Sequence, residues 1–167
     1  PGISPMLKPA FFPLIKGNVY GYLGQLDRRK REDLLIQAFK ASAPIDAKLL
    51  IAGTGRDSDK LKALADDDRI AFLGFLDDSE LSGFYNSLDY FVFPTMVEGY
   101  GLPIVEALAC GTPVVTMADS IIPFEVKNRT IVLDRLADLF ENPDKFMLDE
   151  FTLRSNIDWA KGHTWDS

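Results

Sequence analysis

Short apolar segments alternate with segments of helical periodicity along most of this chain, and this alternation constrains the fold more than any other feature. Two of the apolar segments, 49–52 and 90–93, are apolar at every position, whereas a half-exposed antiparallel strand alternates apolar and polar residues. Continuous apolar strands separated by helices are typical of a parallel sheet covered on both faces. The sequence therefore predicts an α/β fold: a doubly wound, Rossmann-like parallel sheet with helices on both faces.

The predicted elements follow one another in regular order between residues 18 and 142. Strands are predicted over 19–23, 48–52, 70–73, 90–93, 114–117 and 130–133, and helices over 31–42, 58–65, 79–88, 103–109 and 135–141. The first of these helices is predicted to bury a stripe formed by Leu34, Leu35, Ala38 and Phe39. The proline-rich residues 1–17 are predicted to be an extended lead-in, and residues 143–167 a helical tail. We therefore expect one α/β domain over residues 18–142.

Composition excludes several functional classes. The 167 residues include 18 Lys and Arg against 25 Asp and Glu, and the net charge of −7 argues against a general nucleic-acid binder. One cysteine and one histidine supply neither an intramolecular disulfide nor a Cys/His zinc site. No apolar run approaches the roughly 20 residues that span a bilayer. The composition predicts a soluble, cytoplasmic protein.

The strongest site signal follows the fourth predicted strand, in the segment 94–106, which reads PTMVEGYGLPIVE. Two glycines flank Tyr100, and Pro103 stands where a helix begins, a position that suits its fixed φ and missing N–H. The amides of residues 99–102 can therefore converge at a helix N-terminus, which is a binding site for phosphate. Open α/β sheets also bind their ligands beyond the carboxyl ends of the strands.

Two carboxylates bracket this segment, Glu98 before the glycines and Glu106 one turn into the helix. Because a carboxylate accepts hydrogen bonds from paired hydroxyls, Glu106 suits a ribose diol and Glu98 a second polyol. A phosphate site between two diol acceptors indicates a nucleotide sugar. Taken singly, each acid has a plainer explanation: Glu98 as a solvated loop residue, and Glu106 as an acid matched to the helix dipole.

Two further turns follow predicted strands. Residues 28–31 read RRKR at the head of a helix, which opposes the helix dipole and indicates either a bound anion or a solvated basic edge. Gly53-Thr54-Gly55 is not a dinucleotide fingerprint, since Ser58 stands where the third glycine would be, and it predicts a tight turn with room for a ligand. His163 is expected at the surface or in packing, and Cys110 as a small buried thiol.

The segment 98–115 resembles, throughout its length, a motif of the group 1 family of GT-B glycosyltransferases: E-G-(F/Y)-G-L-P-x-x-E-A-x-A-x-G-x-P-V-V. Residues 49–55 and 72–76 match two further blocks of that family in the right order. Residues 24–30 resemble its phosphate motif G-R-L-x-x-x-K-G, with Gln25 in place of the arginine and Arg31 in place of the final glycine. The resemblance covers about residues 18–142. It implies the C-terminal, donor-binding domain of a retaining hexosyltransferase, which is one half of a GT-B fold.

The resemblance also implies a role for each matching residue. Lys30 and Glu98 are the expected catalytic residues, with Lys30 neutralising the donor diphosphate and Glu98 contacting the transferred hexose. The expected donor-binding residues are Gln25, Arg31, Leu76, Asp78, Gly99, Tyr100, Gly101, Leu102 and Glu106. In this scheme the backbone of 99–102 holds phosphate and sugar, Glu106 accepts from the ribose, and the backbone around Leu76 and Asp78 meets the base. No metal or other cofactor is expected, because Lys30 and the helix N-terminus meet the leaving-group charge.

Departures from the family pattern leave parts of this expectation open. With Gln25 in place of the arginine, one phosphate contact is lost unless a neighbouring arginine compensates. Residues 120–125 depart from the family's Gly-Gly-x-x-E segment, which lies near the sugar, so the resemblance implies no sugar specificity. Residues 1–17 resemble the interdomain linker, and residues 143–167 resemble the last-helix region cut short. We therefore expect the N-terminal acceptor-binding domain to be missing from this chain and the chain alone to be inactive. The whole protein is expected to act on an acceptor glycan or lipid-linked sugar, with peripheral membrane contact through the missing domain.

Three other functions compete with the transferase. The first is a non-catalytic nucleotide-sugar-binding or regulatory module, and the second is a GT-B-type sugar-nucleotide epimerase, which the match over 98–115 disfavours. The third is a flavodoxin-like signalling domain. It would need a phosphoacceptor Asp at the end of the first strand, where this chain has Gly24-Gln25.

Overall fold

The computed structural model describes residues 18–163, and their strands form one parallel sheet. The strands are β1 (Val19–Leu23), β2 (Lys48–Ala52), β3 (Ile70–Gly74), β4 (Tyr90–Val92), β5 (Val114–Met117) and β6 (Ile131–Leu133). Their order in the sheet is β3-β2-β1-β4-β5-β6, and all five pairings are parallel. The predicted fold class is confirmed, and each predicted strand lies within one residue of its observed bounds.

Seven α-helices connect and follow these strands within the described residues: α1 (Glu32–Ser42), α2 (Ser58–Ala65), α3 (Asp78–Asn86), α4 (Leu102–Ala109), α5 (Phe124–Lys127), α6 (Leu136–Glu141) and α7 (Glu150–Lys161). The single turn of α5 was not predicted. The predicted helical tail divides into a 3-10 turn over Pro143–Phe146 and α7, which packs against α4. The lead-in predicted over 1–17 and the last four residues lie outside the described residues.

Aromatic side chains fill the core on both faces of the sheet. On one face, the Tyr20 ring packs edge-on against Phe39 of α1 and Phe140 of α6. On the other, Phe91 of β4 packs edge-on against Tyr85 of α3. Both faces are therefore buried, which is why the strands carry apolar residues at successive positions.

The buried face of α1 differs from the predicted stripe. Leu35, Ile36 and Phe39 have no exposed surface, whereas Leu34 is 46% exposed, so the inclusion of Leu34 was wrong. Glu32 lies three, four and seven positions before these buried residues and shares their face, because an α-helix repeats every 3.6 residues. Glu32 is fully buried as a result.

The sheet order places β1 beside β4 at its centre. The chain continues from β1 toward β2 and from β4 toward β5, so the connections that follow these two neighbours run in opposite directions. This is the topological switch point of a doubly wound sheet, where a crevice opens beyond the strand ends. The segments 24–31 and 94–106, both singled out from the sequence, meet at this point.

Candidate functional site

A cleft of about 500 Å³ opens at the carboxyl ends of β1, β2 and β3, beside the start of α4. The loops that follow these three strands line it, together with the first turns of α4. Of the predicted site residues, the cleft brings together Gln25, Leu76, Leu102 and Glu106. The Gly53-Thr54-Gly55 turn also lines it, in agreement with its interpretation as a tight turn with room for a ligand.

Close backbone packing explains the glycines of that turn. The loop after β2 lies directly against the loop after β1, with Leu26 N–H donating to the Thr54 carbonyl at 2.9 Å and Asp57 N–H donating to the Leu26 carbonyl at 3.2 Å. A Cβ at Gly55 would overlap the backbone of Leu26. Gly53 has a φ of 124°, which disfavours any side chain. These glycines therefore set the shape of one wall of the cleft.

A hydrogen bond from Tyr85 fixes the orientation of the Glu106 side chain. It is 8% exposed, lines the cleft, and accepts a 2.9 Å hydrogen bond from the Tyr85 hydroxyl through Oε1. Burial raises the pKa of the Glu106 carboxyl, and the charge of nearby Asp78 raises it further, while the Tyr85 bond lowers it. Since Tyr85 occupies one oxygen, this oriented carboxyl can present its other oxygen to a hydroxyl-bearing ligand.

The N-terminus of α4 is built by its glycine and proline. Gly101 is the N-cap residue with a φ of 70°, and Pro103 lies within the first turn, as predicted. The first-turn amides of a helix have no intrahelical acceptor, so they are available to an anion. Gly99 and Tyr100 do not line the large cleft. They lie at a neighbouring hollow of about 240 Å³, which they share with Leu102 and the exposed His163.

Lys30 and Glu98 form an ion pair across the switch point. Lys30 Nζ lies 3.0 Å from Glu98 Oε2, and the two side chains are 24% and 18% exposed. The Met96 N–H also donates to the Arg29 carbonyl at 3.3 Å, so the two loops are joined through their backbones as well. The structure thus brings together the two residues for which the family resemblance implies a catalytic role, although 67 residues separate them along the chain.

The Arg31 side chain does not line the cleft but binds the loops after β4 and β5. Its guanidinium donates to the Pro94 carbonyl at 2.7 Å and the Thr95 carbonyl at 3.3 Å, to Ser120 Oγ, and to both carboxylate oxygens of Asp119. Its φ of 60° lies in the left-handed region, which favours glycine and so accounts for the glycine in the family motif. Arg31 therefore connects three loops around the site through its side chain.

The other charged residues of these loops differ in exposure. Arg29 is largely exposed and pairs with Asp27 at 3.2 Å, which holds the pKa of that carboxyl below its usual range. Asp78 is exposed at the start of α3, next to the capping box that Asp77 and Glu80 form. Among residues 18–163, no group of three or more His, Cys, Asp or Glu side chains is placed to hold a metal ion. Within the same residues, no helix is long and apolar enough to cross a membrane.

Sequence reasoning missed Glu32. Its Oε2 accepts from the Tyr22 hydroxyl at 3.1 Å and from the Asp27 N–H at 3.2 Å, directly beneath the loop after β1. Burial raises the pKa of this carboxyl to about 7. The signal was present in the sequence, because an acid at the head of the stripe Leu35, Ile36 and Phe39 must face the interior.

The fold and the site together define a class of protein. A doubly wound parallel sheet carries a cleft that is lined by Glu106 and the first turn of α4, and the Lys30–Glu98 ion pair joins the loops at the switch point. Nucleotide-binding α/β domains bind their ligands at such a place in the fold. The chain belongs to a family within that class, described as glycosyl transferases group 1, whose sequence profile matches residues 11–152.

Curated relatives are glycosyltransferases or sugar synthases. The chain is 33% identical over 122 residues to O-antigen chain mannosyltransferase B of Escherichia coli, which covers 68% of this chain and 32% of that protein. It is 35% identical over 119 residues to a D-inositol 3-phosphate glycosyltransferase of Mycobacterium sp., covering 66% of this chain and 27% of that protein. The chain thus spans about a third or less of these relatives' length.

Solved structures confirm the fold, which matches one half of the GT-B fold. Sucrose-phosphate synthase from Thermosynechococcus elongatus superposes with a TM-score of 0.76 at 21% identity, covering 99% of this chain and 48% of that one. The C-terminal domain of a glycosyl transferase group 1 family protein from Francisella tularensis gives 0.67 at 22% identity, covering 93% and 92%. Anabaena HepE, crystallised with UDP and glucose, gives 0.70 at 21% identity, covering 88% and 44%.

Proposed function

We propose that this chain is the donor-binding part of a retaining hexosyltransferase, which binds a nucleoside-diphosphate sugar and provides its hexosyl group for transfer to an acceptor. The observation that carries the proposal is the cleft of about 500 Å³ in which Glu106 meets the loops after β1 and β3, next to the α4 N-terminus. The complex of the structurally similar HepE with UDP and glucose supports the same ligand class.

In this proposal each part of the donor contacts a different part of the site. The base lies against Leu76 and the start of α3, the ribose hydroxyls donate to Glu106, and the diphosphate lies between the α4 N-terminus and Lys30. Glu98 is next to Lys30 and contacts the hexose. Since the Lys30–Glu98 ion pair lies within 3.0 Å, an arriving diphosphate competes with Glu98 for the ammonium and leaves that carboxylate free to accept from sugar hydroxyls.

Charge stabilisation accounts for the chemistry without a metal. As the bond between the hexose and the diphosphate breaks, negative charge develops on the departing phosphate and positive charge on the sugar ring. Lys30 and the α4 amides stabilise the negative charge on the phosphate, and the Glu98 carboxylate stabilises the positive charge on the sugar ring. Retention follows if the acceptor hydroxyl attacks the face from which the diphosphate leaves and gives its proton to the departing diphosphate oxygen.

Acceptor binding is proposed to need a further domain. Because the match spans only 32% of the mannosyltransferase and 27% of the inositol-phosphate enzyme, most of each relative lies outside it. An N-terminal acceptor-binding domain, taking a glycan or a lipid-linked sugar, would complete the active site. The 167-residue chain alone is then expected to bind donor and to transfer nothing.

Calorimetric titration of the purified chain with UDP-glucose and with GDP-mannose tests the donor site. We expect one of them to bind, and Glu106→Gln, which keeps a partner for Tyr85, to weaken that binding about 5-fold to 30-fold. Glu141→Ala, an exposed acid on α6, is the matched control and should leave affinity unchanged. No binding of either ligand at millimolar concentration would refute the donor site, and an unchanged Glu106→Gln would refute the ribose assignment.

Gln25 favours one second candidate, a non-catalytic nucleotide-sugar-binding module. Gln25 lines the cleft in place of the family's arginine, so the chain has lost a guanidinium at that position. Gln25→Arg is expected to tighten nucleotide-sugar binding if that contact is missing. Donor binding without transfer or donor hydrolysis by the longer protein would favour the module over the enzyme.

A further inference from the structure

A buried hydrogen-bond relay lies beneath the loop between β1 and α1. The Tyr22 hydroxyl lies 3.1 Å from Glu32 Oε2 and 3.3 Å from the backbone carbonyl of Gln25. The same Glu32 oxygen accepts from the Asp27 N–H at 3.2 Å. Tyr22 and Glu32 are both fully buried. The relay therefore touches the loop at Gln25, which lines the donor cleft, and two residues further on at Asp27.

The relay has more acceptors than hydrogens when Glu32 is ionised. The Tyr22 hydroxyl carries one hydrogen, and a carboxylate attracts it more strongly than a neutral carbonyl does. The Gln25 carbonyl then loses its donor. When Glu32 is neutral, its own O–H can donate to the Tyr22 oxygen, which releases the Tyr22 hydrogen to the Gln25 carbonyl. The protonation state of Glu32 thus decides whether Tyr22 holds the loop.

We propose that Glu32 is a positioning residue of the donor site, and that its neutral carboxyl, acting through Tyr22, holds the loop after β1 in the shape that binds the donor. This inference rests on the proposed function, because it assigns Glu32 to the cleft in which the nucleotide sugar is placed. It goes further by making donor affinity dependent on one buried proton.

The surroundings of Glu32 favour the neutral form. Burial is the main cause that raises the pKa of its carboxyl, and the negative charge of Asp27 adds to it. Within the described residues, Glu32 Oε1 has no hydrogen-bond partner, so an ionised carboxylate is solvated through one oxygen only. The charged or titratable groups around Glu32 come from four elements. Tyr22 lies on β1, and Asp27 with its partner Arg29 lies in the loop. Asp33 of α1, together with Asp57 and Lys60 at the start of α2, lines a hollow beside Glu32. Burial is the main cause that raises the pKa of Tyr22, the charge of Glu32 and its hydrogen bond add to it, and Glu98 beyond the loop raises it further, so the Tyr22 hydroxyl stays protonated.

Titration of the 167-residue chain with UDP-glucose and GDP-mannose at pH 5.5 and 8.5 tests the relay, since the diesterified diphosphate of these probes does not change its charge between those values. For each protein the measured quantity is the Kd at pH 8.5 divided by the Kd at pH 5.5. We expect this ratio to be about five times larger in the wild type than in Glu32→Gln, because the wild type loses one neutral hydrogen bond when Glu32 ionises. Tyr22→Phe should lower the ratio equally, because the protonation of Glu32 affects the loop only through the Tyr22 hydroxyl. Tyr20→Phe is the control, since its hydroxyl bonds to Asn18 and not to the loop.

Each outcome decides a different point. Equal ratios in the wild type and Glu32→Gln, with binding intact, would overturn the relay and leave the donor site standing. A wild-type ratio in Tyr22→Phe would also overturn it, and this variant decides the question if Glu32→Gln does not fold. Failure of both nucleotide sugars to bind at either pH would overturn the relay together with the proposed function.

Discussion

Replacing Arg31 by the glycine that the family motif carries separates the backbone from the side chain at one position. The left-handed conformation of Arg31, with φ at 60°, costs about 1 kcal/mol that glycine does not incur, although glycine also has the more flexible unfolded chain. The substitution removes the guanidinium contacts with the Pro94 and Thr95 carbonyls and with Asp119. The two effects have opposite signs, so their balance is a quantitative test.

The guanidinium contacts of Arg31 stabilise the folded chain by more than its left-handed backbone destabilises it. The 2.7 Å bond to the Pro94 carbonyl comes from a charged side chain that is only 14% exposed, which is typical of bonds worth about 2–3 kcal/mol. The pair with Asp119 adds less than about 1 kcal/mol, because that carboxylate is 71% exposed. Thr95 keeps a donor from Ser120. After subtraction of about 1 kcal/mol of relieved strain, we expect Arg31→Gly to lower the free energy of unfolding by about 2 kcal/mol.

Urea denaturation of the purified variants measures this loss, and a fall in Tm of about 4–8 °C should accompany it. Asp66→Gly is the matched control: Asp66 also has a positive φ, of 34°, but is exposed at the end of α2, so glycine there should be neutral or stabilising. An Arg31→Gly protein as stable as the wild type would refute the role of Arg31 in joining the loops. Normal stability with weakened UDP-glucose binding would instead assign Arg31 to the phosphates.

Three further predictions concern the same region. Gly55→Ala should destabilise the chain by about 2 kcal/mol in urea denaturation, because its Cβ would overlap the backbone of Leu26. Gly83→Ala is the control: Gly83 is an exposed position of α3 with open space for a Cβ, so alanine should stabilise the chain by up to about 1 kcal/mol. Equal effects of the two substitutions would contradict the packing argument. Glu98→Gln should leave the Kd for UDP unchanged or lower it several-fold in calorimetry, since Lys30 loses its competing partner; weaker UDP binding would refute this. Burial holds the pKa of Glu32 at about 7 in the folded chain, above its unfolded value, so its contribution to stability is full below about pH 4.5 and is lost as the pH rises to about 7. Unfolding free energies measured from pH 4.5 to 8 should fall by about 3 kcal/mol more in the wild type than in Glu32→Gln, and parallel curves would place the pKa of Glu32 near its ordinary value.

The fold was predictable because burial on both faces of a parallel sheet requires strands that are apolar at successive positions. Segments 49–52 and 90–93 meet that requirement, and the glycines of 98–101 and 53–55 identify the loops that form the site. The exposed Leu34 and the single turn of α5 were not predicted. Adjacent apolar residues on a helix do not say which one faces the core, and a four-residue helix has no measurable periodicity.

The sequence by itself determined which residues were available for the site: a lysine, two carboxylates and a helix N-terminus at the ends of neighbouring strands. Tertiary structure decided their partners. Lys30 meets Glu98 only because β1 lies beside β4, and Arg31 turns away from the cleft because carbonyls from the loop after β4 lie within its reach. Glu32 is buried because α1 packs this face onto the sheet, and burial changes the charge of a carboxyl by withdrawing water from it. Distance and solvation depend on the packed chain, which is why they were decided by the tertiary structure alone.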